Sequence, residues 1–247
     1  MRLPSIQIGS IWNDSKGREY VVEKYEHNRR VTIRFLDGTN YTTVTTAQSV
    51  RDGTVKNKLA PVLYDRGFIG EGSYSYKSHT KFYYFWTNML CRCYNSEYQK
   101  RHPSYEGCQV SEEWYNFQTF ASWCDSQFNA LYKDFHLDKD ILQTGVNKIY
   151  SPNTCAFVPR EVNSFLVRST DTTKYQLGVS FHQISGLFAA RIRVGNSTRS
   201  LGYFKKEEDA AARYLQAKEE KAVYLATKYR DVLTKNVYER LINWKEL

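Results

Sequence analysis

The clearest alternation of apolar and polar positions lies between Arg30 and Leu36, where Val31, Ile33 and Phe35 fall on one face of a strand. The run Glu19 to Tyr25 predicts a strand before it, and Tyr41 to Val44 a strand after it. Asp37-Gly38 is a hairpin turn by composition, and Asp52-Gly53 marks another turn before Val55-Lys56-Asn57. Residues 9–60 thus read as three or four short strands, an SH3-like barrel or a meander. Arg29, Arg30, Arg34, Arg51, Lys56 and Lys58 give it a basic side, open to DNA contact or to plain solvation. Gly67, Gly70, Gly72 and several serines make 65–80 read as a linker, in which Tyr74 and Tyr76 fit a strand or base stacking equally.

From residue 81 the period changes. Phe82, Phe85, Trp86, Met89, Leu90 and Cys93 recur at helical spacing and predict a helix over 81–94. Asn116 is placed to cap a second helix carrying Phe117, Phe120, Ala121 and Cys124. His136, Asp138 and Asp140 then alternate with Leu137, Lys139 and Ile141, so a strand here would put three polar groups on one face. A loop with Gly145, Asn147, Tyr150 and Pro152 follows, then a short buried strand over Cys155 to Val158. Pro159 suits the first position of a helix, with Asn163 one turn in. Further on, Phe188, Ala190 and Ile192 oppose Ala189, Arg191 and Arg193 across a strand. Ala210, Ala211, Tyr214 and Ala217 give a following helix an apolar stripe, which would cover the sheet's apolar face. The opposite face would present Ser180, His182, Arg191 and Arg193, with Thr198 and Ser200 from a neighbouring strand. The tail, 219–247, repeats the helical period twice and is expected to pack on this sheet or on a second subunit.

Composition narrows the classes. The formal net charge of +9, with a pI near 9.2, suits nucleic acid or another anionic surface. The hydrophobic fraction of 41% can furnish real cores, and no apolar run approaches the roughly 18 residues that a membrane helix needs. MRLPSIQIGS lacks the apolar stretch of a signal peptide. Five cysteines, an odd number, argue against a disulfide framework and for a reducing, cytoplasmic setting. Cys91, Cys93, Cys108 and Cys124 match no standard zinc spacing and read as buried thiols.

Two stretches resemble known families. Residues 136–165 resemble the HNH endonucleases, in a branch common in phage and mobile-element genes. The resemblance rests on Leu137-Asp138-Lys139, Gly145 and Asn147, Tyr150-Ser151-Pro152, Thr154-Cys155 and Asn163. It extends loosely upstream to Trp86, Met89 and Arg92-Cys93, with Tyr105-Glu106-Gly107 and Glu113-Trp114. Three departures are visible. Lys139 stands where the family usually has a catalytic His or Arg, Thr154 replaces an Asn, and the loop before Tyr150 is longer. Residues 174–218 resemble an AP2-type DNA-binding domain. There Leu177-Gly178-Val179, the strand Gly186 to Arg193, Leu201-Gly202-Tyr203-Phe204 and the helix Glu207 to Tyr214 match in order and spacing.

These resemblances imply a phage-type HNH homing endonuclease. Asp138 and Asn163 would hold one Mg2+ or Mn2+, with no organic cofactor. His136, Lys139 and Tyr150 are the candidates for activating water, Lys139 alternatively acting as a phosphate clamp; Arg92 and His102 are further titratable groups that would approach the metal. Ser180, His182, Arg191, Arg193, Thr198 and Arg199 would read double-stranded DNA, the arginines pairing with guanine. The expected fold is α+β, with a small β module over 1–64, a linker over 65–80, a ββα-metal core with helices over 81–170 and a three-stranded sheet plus helix over 171–247. The protein would act as a monomer or homodimer, in the host cytoplasm if phage-encoded. A non-cleaving DNA-binding regulator and a phage factor that binds a host protein remain open.

Overall fold

In a computed structural model, residues 5–127, 134–143, 145, 148–166, 174–195 and 197–245 are described. Asn147 and the expected boundary at 170–171 lie outside them. The architecture is α+β, and the chain divides into two compact units, residues 1–102 with 112–122, and residues 103–111 with 123–247.

In the first unit, β1 (Ile11–Asn13), β2 (Glu19–His27), β3 (Arg30–Phe35) and β4 (Thr42–Thr45) form one antiparallel meander in that order. The alternation works as the sequence implies: Tyr20, Val22, Val31, Ile33 and Phe35 are fully buried in its core. On its basic side, Arg34 pairs with Glu23, and both Arg30 and Lys24 pair with Glu26. Asp52-Gly53 closes a short helix, α1 (Ala47–Arg51). The Gly53 amide donates to Val50 O at 3.3 Å and the Thr54 amide to Ser49 O at 3.0 Å, the paired bonds of a Schellman end.

The stretch 65–80 belongs to this unit and is packed, not a spacer. A Cβ on Gly67 would lie 2.5 Å from Leu90 of α2 (Thr80–Tyr94), and one on Gly72 would lie 2.2 Å from Gln118 of α4 (Phe117–Gln127). Gln118 also bonds through its side chain to the backbone of Ile69 and Tyr74. These glycines let backbone lie directly against side chains. α2 buries Phe82, Trp86, Met89, Leu90 and Cys93 of the predicted stripe, leaves Phe85 only partly buried, and leads into the short α3 (Ser96–Arg101). Asn116 caps α4, its side-chain oxygen accepting the Gln118 amide at 2.9 Å.

The second unit begins with β5 (Gln109–Val110). Next come β6 (Phe135–Asp138), β7 (Ile149–Tyr150), β8 (Ala156–Pro159) and α5 (Arg160–Leu166). β6 and β8 pair antiparallel, with Phe135 opposite Pro159 and Asp138 opposite Ala156, while β7 pairs in parallel with β5. Pro159 thus ends the strand, and the helix starts one residue later than the proline rule suggests. The Arg160 amide reaches back to Asp134 O at 3.2 Å. α5 packs on both β6 and β8.

β9 (Val179–His182), β10 (Leu187–Val194) and β11 (Ser197–Phe204) form a second antiparallel sheet with β10 in the middle. α6 (Glu207–Lys228) serves two cores. Near its start, Ala210 and Ala211 close over Val179 and Ala190 of this sheet. Near its end, Ala222, Leu225 and Ala226 join Ile141, Ala156, Val158, Val162 and Phe165, with Val237 and Leu241 of α7 (Lys235–Ile242). A 22-residue helix is about 33 Å long, at a rise of 1.5 Å per residue, and so outreaches one small sheet. The apolar residues of the tail therefore pack on the β6–β8 pair and α5, where the sequence suggested the sheet or a second subunit.

Candidate functional site

β6 delivers His136 and Asp138 to one side by strand alternation, but to different surroundings. His136 is exposed, whereas Asp138 is 5% exposed. The strand stops at Asp138, so Asp140 does not continue that face. Instead the chain turns back on the aspartate: Asp138 Oδ1 accepts the amides of Asp140 at 2.9 Å and Ile141 at 2.8 Å. This is the local Asp-to-backbone turn that competes with strand continuation. Among the described residues no hydrogen bond falls on Oδ2. Burial, and then the Asp140 charge, push the Asp138 acid up to about 6, against the pull of the two amides. A neighbouring cation would reverse that displacement.

Asn163 lies on α5, partly exposed, between Val162 and Phe165, which point into the core. Asp138 and Asn163 both offer oxygen, which suits a hard divalent ion completed by water. Among the described residues no group of three or more His, Cys, Asp or Glu converges as a metal site.

Lys139 and Tyr150 are placed differently from what the motif implies. Lys139 is 6% exposed, and its ammonium donates to both Asp140 oxygens, at 2.9 and 3.1 Å. It lies 5.3 Å from the ring centre of Tyr105 and 5.9 Å from that of Tyr150. Tyr150 is 1% exposed. Burial alone would lower the lysine's pKa, but the Asp140 carboxylate outweighs it and holds Lys139 above its ordinary value. Lys148 closes on the same carboxylate at 2.6 Å. The structure therefore makes Lys139 a paired internal cation and Tyr150 part of its wall.

Two residues of this neighbourhood had no motif to mark them. Lys148 is one. Gln143 is the other, bonding to Lys139 O and Ile149 O and accepting the Ile149 amide, so that it ties both ends of the loop. Their only signal in sequence is polarity at a spacing that depends on the loop's path. Arg92 and His102 fall in the first unit.

The sheet of β9, β10 and β11 presents an open face. Arg191 pairs with Ser200 and Arg193 with Thr198, and all four are exposed. On the other side of β10, Ser180 pairs with Ala189 and His182 with Leu187, extending the same face. A bulge in β11 sets the register. Gly202 pairs with Ala190 and Ser200 with Arg191, leaving Leu201 as the extra residue, packed toward α6. Gly202 takes a φ of 131°, a conformation that favours glycine. The bulge brings Tyr203 onto the open face, where its ring lies 5.4 Å from that of His182. Arg199 is exposed but pairs with Ile192, so it lies on the opposite side of the sheet from Arg191 and Arg193. Tyr203 was not signalled in sequence, because strict alternation from Ser200 points to Gly202 instead.

No family model matches the chain, and no curated protein or solved structure matches it either.

Proposed function

We propose that this protein is a DNA-binding, divalent-metal-dependent endonuclease of the HNH type, joined to an AP2-like reading sheet. The observation that carries the reading is Asp138. It is a buried carboxylate at a strand end, with one oxygen fixed by two amides and the other without a hydrogen bond among the described residues, in a strand pair on which the Asn163 helix packs. The same unit exposes Arg191 and Arg193 on one sheet face. When bound, an Mg2+ or Mn2+ ion would polarise the scissile phosphate and stabilise the leaving 3′ oxygen. Asp138 and Asn163 supply the protein oxygens. His136, exposed on the Asp138 side of β6, takes the proton from water, imidazole being the side-chain type suited to a general base. Lys139 and Tyr150 hold the loop. Arg191 and Arg193 bond to base edges in the major groove, with Ser180, His182, Thr198 and Ser200 beside them.

The pairing of Lys139 with Asp140 favours a second reading, a non-cleaving DNA-binding regulator, because the position that carries the catalytic His or Arg in the HNH resemblance is buried and neutralised here. Nicking of supercoiled plasmid separates the two. With Mg2+ or Mn2+ the wild type should convert supercoiled to open-circular DNA, and His136→Ala should slow this by about a hundredfold, the scale of one general base. Arg191→Ala with Arg193→Ala should weaken binding and raise the protein concentration needed. Binding without nicking under either ion would establish the regulator instead.

A further inference from the structure

α6 does more than cover the sheet. Midway along it, the Lys221 ammonium donates to Arg193 O at 2.8 Å, on the strand that carries the open face, and lies 5.8 Å from the centre of the Phe165 ring on α5. One turn earlier, the Lys218 ammonium donates to Phe165 O at 3.0 Å and sits 4.0 Å from the same ring. Lysine there meets a carbonyl at the C-terminal end of α5, where a cation is favoured. At the far end of α6, Lys228 donates to Glu161 at 2.6 Å and the Tyr229 hydroxyl to the same carboxylate at 2.8 Å. Glu161 and Phe165 bracket Asn163 on α5. The apolar stripe of α6 is shared in the same way, Ala210 and Ala211 facing the sheet and Ala222, Leu225 and Ala226 facing α5 and the strand pair. Both structures are thus bonded to one uninterrupted helix.

We infer that α6 is a rigid spacer that fixes the separation between the base-reading face and the Asp138–Asn163 site, so that the site meets DNA at one set offset from the recognised sequence, with Lys218 and Lys221 as positioning residues. The inference rests on the proposed DNA-reading and nuclease roles. It adds that specificity of position is built into the helix and not left to a flexible tether. An α-helix suits this task, because bending one sharply requires a proline, a glycine pair or a break in its hydrogen bonds, and Glu207–Lys228 contains neither proline nor glycine.

Spin labels test the spacer without any need for cleavage. In a Cys91→Ser background, Ser164→Cys on α5 and Ser197→Cys on β11 each take a nitroxide, both positions being exposed. Pulsed electron resonance should give a single narrow distance that duplex DNA leaves unchanged. A Gly-Gly-Ser insertion after Lys218 should abolish the single peak. So that the result does not hang on a variant that fails to fold, Lys218→Met with Lys221→Met keeps the helix and the methylene bulk but removes both ammonium groups. It should broaden the distribution. A broad or two-peaked distance in the parent protein overturns the spacer, and an unaltered peak in the double-Met protein overturns the role of the two lysines. Iron–EDTA tethered at Ser164→Cys then reports the offset on end-labelled duplex. One tight cluster of scissions is expected, and dispersed scission, or none, overturns the fixed offset. Absence of metal-dependent nicking alongside a tight cluster would count against the nuclease reading alone.

Discussion

Burial and the adjacent Asp140 charge make Asp138 hold its proton more tightly in the folded chain than a free aspartic acid does, up to about 6 against an ordinary 3.8. Between those two values the folded state is protonated at this site and the unfolded state is not. This group's contribution to stability is therefore greatest below about pH 4 and is lost as pH rises through about 6. The loss is at most about 3 kcal/mol, at about 1.4 kcal/mol per pH unit of displacement. Urea titrations of metal-free protein across this window should show that fall, and Asp138→Asn should flatten it, since an amide oxygen still accepts the two backbone bonds. Calorimetry should show Mn2+ binding that weakens below about pH 6, as the ion competes with the proton, and that disappears in Asp138→Asn. Equal Mn2+ heats in the two proteins would remove Asp138 from the site. The carboxylate was legible in sequence by its spacing from His136. Its turn was not, because an Asp that bonds the next two amides and an Asp that continues a strand share one alternation pattern.

At the scale of elements, the contact between α6 and its sheet turns on Gly178. It has a φ of 76°, and a Cβ there would lie 2.0 Å from the Tyr214 ring. Gly186, at the β9–β10 turn, has a similar φ of 65° but nothing near a would-be Cβ. Gly186→Ala should therefore cost only the left-handed backbone penalty, about 1–2 kcal/mol. Gly178→Ala should cost more, on the order of 3–4 kcal/mol, because the ring must also move. Equal losses in denaturant titrations would show that the helix is not seated as described. This pair also marks what the sequence could convey. The glycine and tyrosine are both visible in a motif, and the helix and the open face of the central strand follow from periodicity. The bulge did not, because one inserted residue flips every side chain beyond it. Hence Tyr203 carries no signal in the alternation, whereas Arg199, between Thr198 and Ser200 and ahead of the bulge, falls on the opposite face by alternation itself. In the same way, glycines in 65–80 signal a flexible segment in composition, yet Gly67 and Gly72 serve close approach of backbone to Leu90 and Gln118.

Across the whole chain, none of the five cysteines is in a disulfide, and four of them are buried. Cys91 is partly exposed; Cys93 lies in the first unit, and Cys108, Cys124 and Cys155 in the second. Burial pushes the thiols of Cys108, Cys124 and Cys155 upward, away from the reactive thiolate. The chain thus carries its own clock for local opening. Iodoacetamide in native buffer should alkylate Cys91 first, and the remaining sulfurs only as fast as the structure around them parts. Peptide mass mapping over time would then date each unit separately. If Cys93 is modified well ahead of Cys155, the two units open independently; a common rate would mean that the chain comes apart as one body.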